Sequence, residues 1–258
     1  MRIGTFTAAC AAVLAVCTAA NASEFVVNGG FETTAPAHAT PAGVNSFEFG
    51  DTYTYGQAVT GWTSTSVGAN GGFNLLFNPV GATSVSPDTR FTAAEVQYLW
   101  SVPGGASPTG GNFVALDGDT LYNASLSQTI SGLTVGETYT LSFDWAAAQF
   151  ADRTGDTTEM LHVTFGGQSF DTAVVPNLSG GSAGWFSVSH TFVASDTTQV
   201  LSFLSIGTPN GQPPVALLDS VSLTNGVPEP TTWTLMLIGF GGVGGMMRLA
   251  RRRALATA

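Results

Sequence analysis

Thr138-Tyr139-Thr140-Leu141-Ser142-Phe143-Asp144-Trp145 alternates large apolar side chains with small or polar ones. Successive side chains of an extended strand point to opposite faces, so Tyr139, Leu141, Phe143 and Trp145 share one face and polar groups the other. The pattern predicts a half-buried β-strand, and it recurs. Leu161, Val163 and Phe165 alternate with His162 and Thr164, and Phe186, Val188, His190 and Phe192 alternate with Ser187, Ser189 and Thr191. Further strands are predicted at 25–27, 73–77, 96–100, 113–116, 125–130, 200–206 and 215–223. Clusters such as Val102-Pro103-Gly104-Gly105 and Gly207-Thr208-Pro209-Asn210-Gly211 punctuate them as turns. Many short strands without a long amphipathic helix predict an all-β chain folded as an antiparallel sandwich, with long loops at 33–56 and 77–91.

Charge is distributed unevenly. The chain holds seventeen acids and seven arginines without a lysine, and residues 23–230 carry every acid against Arg90 and Arg153 alone, a formal balance of −15. Such a surface repels phosphate backbones, which excludes nucleic acid as a partner, and attracts divalent cations. Both cysteines, Cys10 and Cys17, fall in the first twenty residues, so the rest of the chain has no thiol for a disulfide or a cysteine-based zinc site.

Both ends read as processing segments. Arg2 precedes an apolar run over 8–20, and Ala20-Asn21-Ala22 offers the small-x-small pattern of signal peptidase before Ser23. A lipoprotein reading at Leu14-Ala15-Val16-Cys17 fits less well, because Val16 is bulkier than the small residue expected before a lipidated cysteine. At the other end, Val227-Pro228-Glu229-Pro230 leads into Thr231-Thr232-Trp233, an uncharged run to Met247, then Arg248 and Arg251-Arg252-Arg253. An uncharged span of about 17 residues is just long enough to cross a bilayer as a helix. Trp233 suits the interface, and the arginines should stay cytoplasmic, leaving the large domain outside. The chain divides into a signal peptide over 1–22, a β-domain over 23–226 and a tail over 227–258.

The order of Pro228, Glu229 and Pro230, a glycine-rich span and the cluster Arg251, Arg252 and Arg253 resembles the PEP-CTERM sorting signal of exopolysaccharide-producing Gram-negative bacteria. The resemblance implies an exosortase-type processing enzyme as partner. It also implies an intermediate anchored in the inner membrane, and a product at the cell surface or in the extracellular matrix. In the domain, the segments Val27-Asn28-Gly29-Gly30-Phe31-Glu32, Gly61-Trp62, Phe113 to Gly118, Leu126 to Ile130 and Leu217 to Leu223 come in an order similar to that of galactose-binding-like jelly rolls, which include several carbohydrate-binding module families. That resemblance implies a jelly-roll sandwich and polysaccharide as a partner.

Asp219 shares strict strand parity with Leu217, Val221 and Leu223 and is expected to point to an apolar side. A buried carboxylate needs partners, and with so few arginines these are turn amides or a metal ion. Calcium takes six to eight oxygen ligands. The resembled folds commonly carry a structural calcium ion joining first and last strands, which implies Glu32 and Asp219, with Asn28 beside them, as metal ligands. Sugar binding calls for aromatic platforms beside hydrogen-bonding side chains. The expected ligand-binding set is Trp62, Asp119, Tyr122, Gln149 and Arg153, with Trp100 also available; Trp145 is expected in the core, and Trp185 can be exposed.

Catalytic readings are poorer. Gly180-Gly181-Ser182-Ala183-Gly184 matches G-x-S-x-G, but a nucleophile elbow needs a strand-to-helix turn and both flanks here read as strands. His38, His162 and His190 are too scattered for a zinc site. No catalytic residue is expected. Two classes stay open, a carbohydrate-binding module and a structural matrix or biofilm protein without a defined ligand, with a secreted glycan-active hydrolase behind them.

Overall fold

The computed structural model describes residues 22–34, 59–77, 82–83, 98–151, 153–212, 214–225 and 248, and the backbone of 46–49. The expected signal peptide and the tail with its expected transmembrane helix lie outside the described residues, apart from Ala22 and Arg248. Among the described residues no helix is long and apolar enough to cross a membrane. Residues Ser23–Gly226 form one compact unit with both hydrophobic clusters inside it.

Among the described residues twelve strands build this unit: β1 (Ser46–Phe49), β2 (Thr63–Ser66), β3 (Asn74–Phe77), β4 (Phe113–Asp117), β5 (Ala124–Ser131), β6 (Thr138–Gln149), β7 (Thr157–Phe165), β8 (Gln168–Asp171), β9 (Val175–Asn177), β10 (Ala183–Val193), β11 (Thr198–Thr208) and β12 (Pro214–Asn225). They pair antiparallel into two sheets. One runs β1-β3-β4-β12-β6-β10, and the other β2-β5-β11-β7-β8 with β9 also on β7. This is the all-β jelly-roll sandwich expected. The segment over 25–27 contributes an isolated bridge at Glu24↔Thr224 rather than a strand, β1 lies inside an expected loop, and of 96–100 the described part holds the bridge Leu99↔Phe150.

The stretch over 138–145 does what its alternation predicts. Tyr139, Leu141, Phe143 and Trp145 of β6 face inward and meet Leu161, Val163 and Phe165 of β7 and Leu201 and Phe203 of β11 in the inter-sheet core. Burying each such side chain contributes about 1.5–3 kcal/mol. After Trp145 the alternation of burial stops, since Ala146, Ala148 and Phe150 are buried too. Their face is the outside of the first sheet, where Ala115, Leu217 and Phe113 pack under Leu99 and Val102 as a second core. Trp185 belongs to this second core. It stacks edge-on to Phe113 at 5.8 Å and donates its indole N–H to the Pro103 carbonyl at 3.2 Å, so it is packed rather than exposed.

A bulge in β12 corrects the parity expected of Asp219. The register with β6 shifts between Asp219 and Ser222, and Ser220 takes a left-handed φ of 57°. Leu217 therefore faces the second core, whereas Val221 and Leu223 face the inter-sheet core. Asp219 is fully buried on the side of Leu217, against the connection between β3 and β4.

Candidate functional site

Four connections meet at one end of the sandwich, hydrogen-bonded in two pairs. Asp119, between β4 and β5, is buried and turned inward: its Oδ1 accepts the Leu121 N–H at 2.9 Å and its Oδ2 the Gly211 N–H at 2.6 Å. Asn210 donates from Nδ2 to Thr120 Oγ1 at 2.7 Å, which binds the β11–β12 turn to the β4–β5 turn. Gln149 ends β6 with no exposed surface. It donates to the Gly155 carbonyl and accepts the Gly180 N–H, both at 2.9 Å, so it holds the β6–β7 and β9–β10 turns together. The Gly155 N–H reaches Ser179 Oγ at 2.8 Å, and the Ser179 N–H reaches Asp156 Oδ1 at 3.0 Å.

On this frame stand exposed side chains of the kind that contact sugars. Trp100 is 43% exposed; its indole N–H donates to the Arg153 carbonyl at 2.7 Å and its ring lies against Gly180. Leu178 is 73% exposed beside it in the β9–β10 connection. On the other flank Tyr122 is 42% exposed, next to Leu121. Asn210, Arg153 and Asp156 are exposed on the turns linking the two flanks. The arrangement offers two aromatic faces with amide, guanidinium and carboxylate groups on the connecting turns.

Of the expected ligand-binding set, Tyr122 and Arg153 reach this surface. Asp119 and Gln149 lie beneath it as buried braces, their hydrogen-bonding capacity spent on turn backbone. Trp62 is elsewhere: it is 1% exposed, packs on Phe31 and Phe203 and donates to the Asn28 carbonyl at 3.0 Å, so no ligand can stack on it. Trp100, named beside that set, is exposed at this end. It stood at the end of a run read as a strand, where nothing in the pattern tells a strand residue from a loop residue.

The expected metal site divides in the same way. Asp219 Oδ2 accepts hydrogen bonds from Ser107 Oγ at 2.5 Å and Thr109 Oγ1 at 3.0 Å, and Oδ1 accepts the Ser220 N–H at 2.6 Å. Glu32 Oε1 accepts the Asn112 N–H at 2.6 Å, and the Gly30 backbone lies between the Glu32 and Asp219 side chains. Burial pushes the Asp219 carboxyl above the usual carboxylate range; the bonds from Ser107, Ser220 and Thr109 pull it back, and the nearby Glu32 carboxylate pushes it up again. Asp219, Glu32 and the hydroxyls of Ser107, Thr109 and Ser220 make an all-oxygen neighbourhood, the donor type calcium prefers. Asn28 is not part of it. Its Nδ2 donates to the Thr33 and Thr60 carbonyls and its Oδ1 accepts the Thr33 N–H, a clip around a bend with φ of 56°. Among the described residues no group of three or more His, Cys, Asp or Glu is placed to hold a metal ion.

A further acid is buried in β7. Glu159 of β7 faces inward with no exposed surface; Thr157 Oγ1 donates to its Oε1, while its Oε2 and the nearby Ser205 Oγ have no hydrogen-bond partner. Burial pushes its carboxyl up to about 8, offset in part by the Thr157 bond. The sequence signal was present, since Glu159 sits in phase with Leu161, Val163 and Phe165. Ser182 of the G-x-S-x-G match accepts a hydrogen bond from Ser101 Oγ at 2.9 Å and precedes a strand, not a helix. His190 stacks on Phe170 with centroids 4.0 Å apart.

Family models match the chain twice: "Protein of unknown function (DUF642)" over residues 90–224, and the PEP-CTERM protein-sorting motif over residues 226–253. No curated protein matches its sequence. Solved structures with a similar course include a family 61 carbohydrate-binding module in complex with β-1,4-galactotriose, at 14% identity over 79% of this chain and 99% of that one, with a TM-score of 0.38. A family 4 carbohydrate-binding module is 14% identical over 78% of this chain and 99% of its own, with a TM-score of 0.32. The enzymatically active domain of tailspike protein 4 from bacteriophage CBA120 is 14% identical over 78% of this chain and 21% of its own, with a TM-score of 0.36. Likeness of this degree assigns no ligand.

Proposed function

Because the chain belongs to the DUF642 family and closes in a PEP-CTERM sorting motif, we propose that it is an exported surface or matrix protein that binds exopolysaccharide without catalysis of its own. Its tail anchors it in the inner membrane until an exosortase-type enzyme processes it, and the folded domain is then displayed at the cell surface or released into the matrix. The observation that carries sugar binding is the laced loop end, where Trp100 and Tyr122 are exposed on turns fixed from below by Gln149 and Asp119. Rigid platforms lose little entropy on binding. The formal charge of −15 over residues 23–230 favours neutral glycans over polyuronates. A non-catalytic role is supported by Ser182, which bonds to Ser101, and by the placement of the two acids with raised pKa, Glu159 between the sheets and Asp219 on the outer side of one. A structural calcium ion at Glu32 and Asp219, bracing the first bend against the last strand, completes the reading.

The test is affinity electrophoresis of the exported protein in gels containing exopolysaccharide from the producing cells or neutral glucans and galactans. Retardation by at least one neutral glycan, lost in Trp100→Ala and Tyr122→Ala, is expected. Equal mobility of wild type and both variants in every gel would instead favour the structural matrix protein, which the net acidic domain also suits. Mass spectrometry of the exported protein's C-terminus checks the sorting half: a terminus close to Pro228-Glu229-Pro230 is expected, and retention of Arg251, Arg252 and Arg253 would remove it.

A further inference from the structure

Among the described residues the four sheet edges are not alike. β1, β2 and β8 are strands of four residues, and β9, which shares the last edge, has three residues with Pro176 in the middle. Short strands and prolines are the usual means of keeping a sheet edge from pairing with another chain. β10 has neither. It runs eleven residues, Ala-Gly-Trp-Phe-Ser-Val-Ser-His-Thr-Phe-Val, without a charge or a proline. Its register is irregular only between Ala183 and Phe186 and unbroken from Phe186 to Val193. Among the described residues it pairs with β6 alone.

Which backbone groups face outward follows from one side chain. Gln168 accepts the Val193 N–H and donates to the Val193 carbonyl, so both groups point away from β6. In an antiparallel ladder the direction alternates, which puts the N–H and C=O of Ser187, Ser189 and Thr191 on the same outward edge. Gln168 imitates a neighbouring strand at one end of β10, and among the described residues no strand pairs with the outward groups of its middle. The inward side chains beside this edge are partly open as well: Phe186, 40% exposed, lines with Trp145, Phe170, Val175 and Val188 a cleft of ≈ 350 Å³ between the two sheets.

We propose that two copies of this domain associate through β10, pairing antiparallel across a two-fold axis so that their six-stranded sheets continue into one another. Residues 23–230 carry a formal charge of −15, so two copies repel over most approaches. β10 itself carries no charge, with Asp144 of β6 behind it accepting from Ser187 Oγ at 2.6 Å, and its edge is where two copies meet at low electrostatic cost. The strand is also self-complementary. With the axis at Ser189, the outward groups of Ser187 face those of Thr191 in the second copy and Ser189 faces its own counterpart, an isologous contact that closes at two and leaves neither β10 edge open.

Sedimentation equilibrium of the exported protein through the micromolar range tests this. Wild type is expected as a reversible dimer. Ser189→Pro removes an outward N–H that no strand of its own sheet uses and is expected to weaken the dimer about tenfold. Should that variant not fold, Ser189→Glu decides, because it changes only an exposed side chain and sets two carboxylates face to face across the axis. It is expected to be monomeric, with an unchanged circular dichroism spectrum. Hydrogen exchange at the Ser187, Ser189 and Thr191 amides should be slow in wild type and fast in Ser189→Glu. A wild type that stays monomeric throughout, or a Ser189→Glu variant that dimerises as wild type does, overturns the proposal.

Discussion

Ser107 Oγ stands 2.5 Å from Asp219 Oδ2, a hydrogen bond across 112 residues that fastens the β3–β4 connection to the last strand where that strand bulges. The bond satisfies a carboxylate with no exposed surface. Ser107→Ala leaves Thr109 and the Ser220 N–H to hold that carboxylate, and removing one partner of a buried acceptor costs about 1–3 kcal/mol. Urea unfolding at neutral pH should show the midpoint falling with an unchanged m-value. A midpoint equal to wild type would mean that the bond contributes nothing.

Calcium separates the two roles in this neighbourhood. With a cation between Glu32 and Asp219, added calcium should raise the melting temperature relative to chelator, and Asp219→Asn should abolish the difference. Asn28→Ala breaks the clip around the first bend and puts alanine at a left-handed φ, at a cost of about 2 kcal/mol. It should lower both melting temperatures and keep the calcium difference. No calcium shift in wild type would leave Asp219 as a carboxylate satisfied by hydroxyls and an amide alone.

Glu159 gives the domain a pH dependence of definite sign. Its carboxyl is raised from 4.5 to about 8 in the fold, so between those values the folded chain holds a proton that the unfolded chain has released. Stability therefore falls as pH rises through that window and levels off above it. Chemical unfolding from pH 5 to pH 8.5 should show the decline, and Glu159→Gln, which keeps the shape without the charge, should flatten it. An equally steep decline in Glu159→Gln would assign the effect to another group.

The sandwich was legible because period-two alternation is a local property and the inter-sheet core reads it directly at Tyr139, Leu141, Phe143 and Trp145. The exceptions have physical causes that a linear pattern does not carry. β2 is Thr-Ser-Thr-Ser and has no apolar residue to count, so only its pairing with β5 makes it a strand. The bulge at Ser220 reverses parity within one strand, so Asp219 was expected to be buried with Val221 and Leu223 but is buried on the opposite side. Trp62 and Trp100 are the same residue type with opposite fates, decided by whether the chain around them lies between the sheets or on the loop end. Asp119 and Gln149 possess the polar chemistry that sugar binding calls for, and the fold spends it on turn amides and carbonyls.

Gly29 and Gly30 are neighbours whose replacement should differ sharply. A Cβ on Gly29 would stand 1.8 Å from the Val221 carbonyl oxygen and 2.9 Å from its carbon, both backbone atoms, and the Gly29 carbonyl accepts the Val221 N–H at 3.0 Å. The first bend and the last strand touch here main chain to main chain, so Gly29→Ala must push them apart. Overpacking of this kind costs about 1–3 kcal/mol, and the displaced backbone carries Glu32 away from Asp219. A Cβ on Gly30 would meet only Asp219 Oδ1 at 3.9 Å and Glu32 Cγ at 4.0 Å, ordinary contact distances. Gly30→Ala should therefore stay within about 0.5 kcal/mol of wild type. Thermal unfolding of the two variants side by side checks the contrast, and if Gly29→Ala melts with Gly30→Ala, the close approach of bend and strand is wrong.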